Sequence, residues 1–257
     1  MIPERNQLAS DLHGAVMRGE IVAHYQPQVA VNSRRIVSAE ALSRWAHPQF
    51  GIVGPLTFIP LAEEHNLIGE IGEYMLKLGC EAAAAWQKRA MPIEVAVNVS
   101  AIQLRDPAFA ELLIREVQAA ELDPRLLIIE VTETREIMDV STVAERLDWL
   151  RAVGVTISVD DFGVGHSSVE QILDLRATEL KIDQSLVQDE SVAAHTLLAA
   201  VVTFARDKGL RIVAEGVETE AQFARVRELR CDRAQGYLLG SPMPRADFDS
   251  MLASTFP

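Results

Sequence analysis

LLIIEVTE (126–133) and TISVDDFG (156–163) are near-continuous apolar runs, rich in β-branched residues, that finish on carboxylates. Hydrophobicity of that kind suits parallel strands covered on both faces. A buried strand has no packing reason to end on an acid. Working outward, the same feature recurs in IVSAEALSRW (36–45) with Glu40, IEVAVNVS (93–100) with Asn98 and ELKID (179–183) with Lys181. It recurs again in RIVAEG (211–216) with Glu215, in AQGY (234–237) with Gln235, and in IVAHYQPQV (21–29) with Gln26. Between most of these runs the apolar residues fall at helical spacing. Examples are Met75, Leu78, Ala82, Ala85 and Trp86 within 73–87, then Phe109, Leu112, Leu113 and Val117. A third stripe is Leu197, Leu198, Val201, Val202 and Ala205, stopped at Lys208-Gly209.

Strand and helix alternating every ~25–35 residues is the pattern of βα units. The 257 residues match the roughly 250 of one eight-fold barrel. Polar groups that end barrel strands all point into one mouth, where barrel active sites are built. The expectation is an α/β chain folded as a modified TIM (β/α)8 barrel. The runs 21–30 and 36–45 are separated only by VNSRR, too short for a crossover helix. They predict a hairpin, so one barrel strand is antiparallel. Residues 6–18 predict a helix that caps the barrel, within an N-terminal segment 1–19 of a single domain spanning 1–257.

The formal net charge of −13 argues against binding to DNA or an anionic membrane surface, which needs basic patches. No apolar run approaches the ~20 residues of a membrane helix, and the polar N-terminus has no signal-peptide core. Cys80 and Cys231 have no metal spacing, which favours a reduced, cytoplasmic setting.

Alternation places Glu130 on one face of its strand and Glu133 on the other, and puts Asn98 with Ser100. With these faces turned inward, Glu40, Asn98, Glu130, Asp160, Asp161 and Glu215 share one space. Like unit charges ~4 Å apart repel by about 4 kcal/mol at an effective dielectric near 20. Several such carboxylates cannot all stay ionised unless cations intervene. Carboxylates and amide oxygens, without thiolates or paired histidines, suit Mg²⁺ or Mn²⁺ rather than zinc. The adjacent Asp160-Asp161 is the natural bridge of a two-ion site that activates water and clamps a phosphoryl group. Glu215 and Lys181 remain for proton transfer and charge stabilisation. Each residue alone has a plain alternative. Glu40 suits an exposed edge, DDFG a turn, and Asn98 a cap for the next segment. Lys181 suits a salt bridge to Asp183 or a Schiff base.

The ordered set EALSRW, NVS, EVTE, DDFGVGHSS, LKID, AEGVET and QGY resembles the EAL-domain cyclic di-GMP phosphodiesterases, from Tyr25 to Pro244. The resemblance implies metal-dependent hydrolysis of one phosphodiester bond of cyclic di-GMP to linear pGpG. It implies that Glu40, Asn98, Glu130 and Asp160 hold one Mg²⁺ or Mn²⁺ ion, with Asp160 and Asp161 serving a second. Glu215 would be the general base, Lys181 would position water or balance the phosphate, and Gln235 would help hold the site. Gln26, Leu42 and Arg44 match substrate-contacting positions, and Glu133 matches a residue that anchors the loop after the aspartate pair. A homodimer, and a regulatory domain or protein partner, belong to the same expectation. Two features depart from the family pattern. Val164 and His166 replace the usual Thr and Tyr of that loop, and Gln28 stands where an aliphatic residue is usual, read as an edge-strand change. The competing readings are a non-hydrolytic cyclic di-GMP receptor and a Schiff-base lyase built on Lys181.

Overall fold

A computed structural model describes residues 5–132, 140–162 and 175–255. Glu133 and the loop residues Val164 and His166 lie outside that set. The barrel strands are β1 (Ile21–Ala30), β2 (Ile36–His47), β4 (Glu94–Val99) and β5 (Leu127–Thr132). They continue with β6 (Thr156–Phe162), β7 (Glu179–Ile182), β8 (Arg211–Ala214) and β9 (Arg233–Gln235). The sheet runs β1–β2–β4–β5–β6–β7–β8–β9 and closes where β9 returns to β1. Neighbours from β2 round to β9 are parallel, whereas β1 is antiparallel to both of its barrel neighbours. The five-residue connection therefore made the predicted hairpin. Two short strands sit outside the ring: β3 (Gly51–Val53) folds back on the end of β2, and β10 (Met243–Pro244) pairs with β1.

The helices are α1 (Arg5–Leu12), α2 (Pro55–Glu64), α3 (Ile68–Lys88), α4 (Ala101–Arg105) and α5 (Phe109–Ala120). They are followed by α6 (Val140–Ala152), α7 (Gln184–Gln188), α8 (Val192–Asp207), α9 (Glu220–Glu228) and α10 (Arg245–Thr255). The three predicted apolar stripes lie in α3, α5 and α8, and α8 stops where Gly209 takes φ +71°. The first helix is shorter than its sequence suggests. It ends at Leu12, and Gly14 at φ +72° turns the chain while Leu8, Leu12 and Ala15 stay buried.

Alternation along the strands sorts the side chains into two environments. The outward set, including Val95, Val97, Val99, Ile129, Val131, Ile157, Leu180, Ile182 and Ile212, joins one apolar core beneath the helices. Helix α3 approaches β4 closely at Gly79, where an added Cβ would lie 2.7 Å from Val97. Behind β1 an aromatic group ties α3 to α10. Trp86 packs edge-on against Tyr25 with ring centroids 5.5 Å apart, and its indole N–H donates to Asp249. The inward set is mostly polar, which reverses the branched-aliphatic filling usual in such barrels. Ser38, Glu130, Ser158, Glu179, Lys181, Arg233 and Gln235 are all buried.

Candidate active site

At the carboxyl ends of the strands, Lys181 rises from β7 into the middle of the mouth with its side chain 1% exposed. Its ammonium lies 2.7 Å from Glu215, 3.0 Å from Glu130, 3.1 Å from Asp160 and 3.7 Å from Glu40. One cation thus gathers acids from four other strand ends. Asp183, the alternative partner, is occupied elsewhere: its carboxylate accepts the Ser185 N–H and caps α7.

Glu40 is held on three sides. Asn98 Nδ2 donates to its Oε1 at 2.8 Å, and Gln235 Nε2 donates to its Oε2 at 2.6 Å. Gln235 Nε2 also donates to Gln26 Oε1 at 2.9 Å, while Gln26 Nε2 reaches the Gly240 carbonyl at 3.0 Å. That bond uses the Asn98 amide nitrogen and leaves its carbonyl oxygen free of it. Asn98 does not cap the following helix. Ser100 does, in a reciprocal box with Gln103, so β4 passes directly into α4 and fixes the height of Asn98.

Simple alternation would send Asp160 and Asp161 to opposite faces, yet both carboxylates reach the mouth. The β6–β7 register shifts between Val159 and Phe162, and Asp161 sits at φ 59°. This is a bulge built on an aspartate, a residue type that tolerates the left-handed region. Asp160 Oδ1 accepts the Asp161 N–H at 2.9 Å and braces the turn. Asp160, Asp161 and Phe162 are therefore strand with a bulge, and Gly163 lies outside the described residues. One carboxylate oxygen each from Asp160, Asp161 and Glu215 lie within 4.8 Å of one another. Glu215 is set just before Gly216, whose φ of +62° brings the backbone so close to Gln184 that a Cβ would lie 2.2 Å from it.

The electrostatics follow from burial and crowding. Burial, then the charges of Glu40, Asp160 and Glu215, push the Glu130 carboxyl well above the usual range, against the pull of Lys181. Burial lifts Glu215 to about 8, with Lys181 opposing and Asp160 and Glu40 adding to the rise. Asp161 is pushed to about 6 by burial and by Asp160 beside it. Glu40 moves the other way: burial opposes ionisation, but Lys181 and the bonds from Gln235 and Asn98 outweigh it. Burial disfavours the Lys181 ammonium too, and its ring of acids overcomes this and raises its pKa well above normal.

A cation site fits these residues. Both carboxylate oxygens of Glu130 are buried without a hydrogen-bond partner among the described residues, so Lys181 is their charge partner but does not satisfy them. Glu40, Glu130, Asp160, Asp161 and Glu215 crowd around the single ammonium of Lys181, an excess of carboxylate that cations would relieve. The donors are all oxygens, which selects hard cations.

Two cavities meet at this point. The polar mouth, about 260 Å³, is lined by Gln26, Glu40, Asp160, Asp161, Lys181, Asp183, Glu215, Glu218, Gln235 and Tyr237, with Glu130 buried behind it. A larger, mainly apolar cavity of about 360 Å³ lies beside it, between β2, α2 and α3, lined by Leu56, Ile59, Ile71 and Met75 among others. Glu40 and Leu42 border both. Arg44 stands two residues further along β2, half-buried, donating to the Ser43 carbonyl.

Every predicted site residue among those described is therefore placed in or near the mouth, Arg44 standing at its edge. Gln28 corrects the sequence reading: it is not on an edge but wholly buried inside the barrel, and it donates to Gln235 Oε1 at 2.9 Å. Its period-two spacing from Gln26 carried that signal. Tyr237, 67% exposed on the rim, and the apolar cavity were also missed.

The sequence pattern of the EAL domain matches residues 9–242. The chain is 41% identical over 256 residues to the bifunctional diguanylate cyclase/cyclic di-GMP phosphodiesterase MucR of Pseudomonas aeruginosa, covering 98% of this chain and 37% of MucR. It is 33% identical over 241 residues to the cyclic di-GMP phosphodiesterase RocR of the same organism, covering 93% of this chain and 62% of RocR. It spans about a third of the length of most curated relatives it matches. A solved PaMucR phosphodiesterase in complex with c-di-GMP superposes with a TM-score of 0.89 at 39% identity, covering 94% of this chain and 99% of that one. Sequence, barrel topology and relatives agree, and the chain belongs to the EAL-domain family of cyclic di-GMP phosphodiesterases.

Proposed function

We propose that this chain hydrolyses one phosphodiester bond of cyclic di-GMP to give linear pGpG, with two Mg²⁺ or Mn²⁺ ions. The observation that carries the reading is the meeting of two unlike cavities at Leu42. An acid-lined mouth with a buried cation adjoins an apolar slot large enough for a purine base. A phosphodiester bearing a flat heteroaromatic base matches that pair, and the likeness to MucR and RocR supports the identity of the base and linkage.

Glu40, the Asn98 carbonyl, Glu130 and Asp160 would hold one ion, and Asp160 with Asp161 the other. Bound there, such ions supply Lewis-acid polarisation of a phosphoryl oxygen and make water acidic enough to ionise near neutral pH. Glu215 takes a proton from the attacking water. Burial among the other acids raises its proton affinity above that of an ordinary carboxylate, as suits a general base. Lys181, 2.7 Å away, holds that carboxylate in place and offsets charge as the new oxygen–phosphorus bond forms. The bond from phosphorus to the sugar oxygen breaks, and the leaving oxygen takes a proton from solvent water to end as a hydroxyl, while Glu215 returns its proton to solvent. Gln235 and Gln26 orient Glu40. Arg44, with a planar fork of donors, meets phosphate at the rim. One guanine enters the apolar slot, and Tyr237 offers a stacking surface for the other. Control by a further domain or protein partner, and self-association, belong to the same proposal.

The test is incubation with cyclic di-GMP in Mg²⁺, Mn²⁺ or chelator, with products separated by chromatography. Metal-dependent pGpG is expected. Tight binding without product would replace the enzyme by a receptor, and neither binding nor product would overturn the reading.

A further inference from the structure

Strand β1 runs against the rest of the barrel, so each step along its sequence goes deeper. Gln26 stands opposite Glu40 in the mouth, and Gln28 stands opposite Ser38 one layer below. On its other edge Gln28 faces Gln235 of β9. The three glutamines form a chain of bonds, at whose deep end Gln28 Oε1 is buried without a partner among the described residues. An ionised Glu40 can only accept, so the group 2.6 Å from its Oε2 must be the Gln235 amide nitrogen. That nitrogen also serves Gln26 Oε1 at 2.9 Å, which uses both of its hydrogens. The Gln235 oxygen is thereby turned down into the barrel, where Gln28 Nε2 donates to it at 2.9 Å. Turning the Gln235 amide over would set its oxygen against Glu40 and its nitrogen against the nitrogen of Gln28. Three bonds would become repulsive contacts.

We propose that Gln28 is a positioning residue for the cation site, acting through Gln235 to hold the Glu40 carboxylate in its ligating orientation. Without the donor from below, the Gln235 oxygen would be a buried carbonyl without a partner, and the amide would gain by rotating away from Glu40. The register makes the role specific to a side chain that is long and carries an N–H. A buried aliphatic residue at position 28 would fill the volume and leave the orientation unset. The inference rests on the reading of Glu40 as a cation ligand.

The experiment is Mn²⁺ titration of the substrate-free protein by calorimetry, for wild type, Gln28→Met, Gln235→Met and the double variant, with thermal melts alongside. Residues bonded to a metal ligand typically contribute 10–100-fold in affinity, and a residue one bond further out is expected to contribute less. Gln28→Met is expected to weaken Mn²⁺ binding about 5-fold with a melting temperature close to wild type in chelator, and to change binding less than about 2-fold in the Gln235→Met background. Gln28→Asn keeps the amide but withdraws it by one methylene. It carries the same expectations should Gln28→Met not fold. Wild-type uptake of Mn²⁺ with unchanged affinity in the variant overturns this inference alone. An effect that persists undiminished in the Gln235→Met background assigns it to packing, and also overturns it. A wild-type protein that takes up no Mn²⁺ overturns it together with the cation reading.

Discussion

The two ends of the barrel interior both bury charge, and they do so in opposite ways. At the floor, Glu94, Glu179, Arg211 and Arg233 are the first residues of β4, β7, β8 and β9. Arg211 bonds both Glu179 and Glu94, the latter at 2.9 Å, and Arg233 bonds Glu94 with its second nitrogen 3.9 Å from Glu179. Two negative charges meet two positive ones. At the mouth, five acids face one ammonium. Burying ions costs several kcal/mol each wherever it happens, and partners must offset it. The floor supplies counter-charges one for one from its own side chains, whereas at the mouth the acids outnumber the ammonium, and burial with mutual repulsion raises the pKa of Glu130, Glu215 and Asp161. Balance marks the structural end and imbalance the chemical end.

The largest expected effect concerns chemistry at the mouth. Glu215→Ala should lower kcat by on the order of 10³ while Mn²⁺-supported binding of cyclic di-GMP survives, because a positioned base contributes about 10²–10⁴. Initial rates beside calorimetric binding decide it, and a near-normal kcat would remove Glu215 from the role of base. Next comes the floor. Glu179→Ala leaves Arg211 and Arg233 short of a buried counter-charge and should cost about 3–5 kcal/mol in urea unfolding. The rise in melting temperature on adding Mn²⁺ should stay as in wild type. If that rise collapsed too, the two ends would not be independent.

The sequence carried the mouth more fully than the floor for a physical reason. Acids at the ends of apolar strands are costly and conspicuous, and alternation turns them to one side. Glu94, Glu179 and Arg211 sit in the same runs, and Arg233 just before one, but at strand starts, where a charged residue passes for an ordinary boundary. Their partners are 117 and 139 residues away, so only the closed barrel reveals them. The hairpin was legible because five residues cannot cross a sheet. The bulge was not, since period-two logic separates Asp160 from Asp161 and nothing local signals the positive φ. Gln28 was misread because an antiparallel barrel strand has no free edge, a property of closure rather than of the strand.

Cations should distinguish the ends directly. An ion held only by the folded state stabilises it by about 2.7 kcal/mol at a hundred times its dissociation constant. For a domain of this size that is roughly 5–10 °C in melting temperature, reversed by chelator. A protein whose melting point ignored Mg²⁺ and Mn²⁺ would have a mouth balanced by some other means.

The smallest effect tests the comparison most sharply, because its sign differs between the two ends. Removing a charge from the floor breaks a neutral set and destabilises. Removing one from the mouth relieves repulsion as long as no ion is present. Asp161 is the suitable position: its carboxylate is partly open to solvent, and its pKa of about 6 makes it charged above about pH 7. Asp161→Asn keeps the shape of the bulge, since Asn also tolerates the left-handed backbone. In chelator at about pH 7.5 the variant should melt about 1–2 °C above wild type, a change of about 0.5 kcal/mol for a partly screened charge. With saturating Mn²⁺ the order should reverse, because the variant has lost an oxygen charge that the ion would use. The same substitution then stabilises the metal-free fold and weakens the loaded one. A variant less stable than wild type in both conditions would mean that Asp161 is held by local bonds, as the floor charges are, and that the imbalance at the mouth is smaller than its five acids suggest.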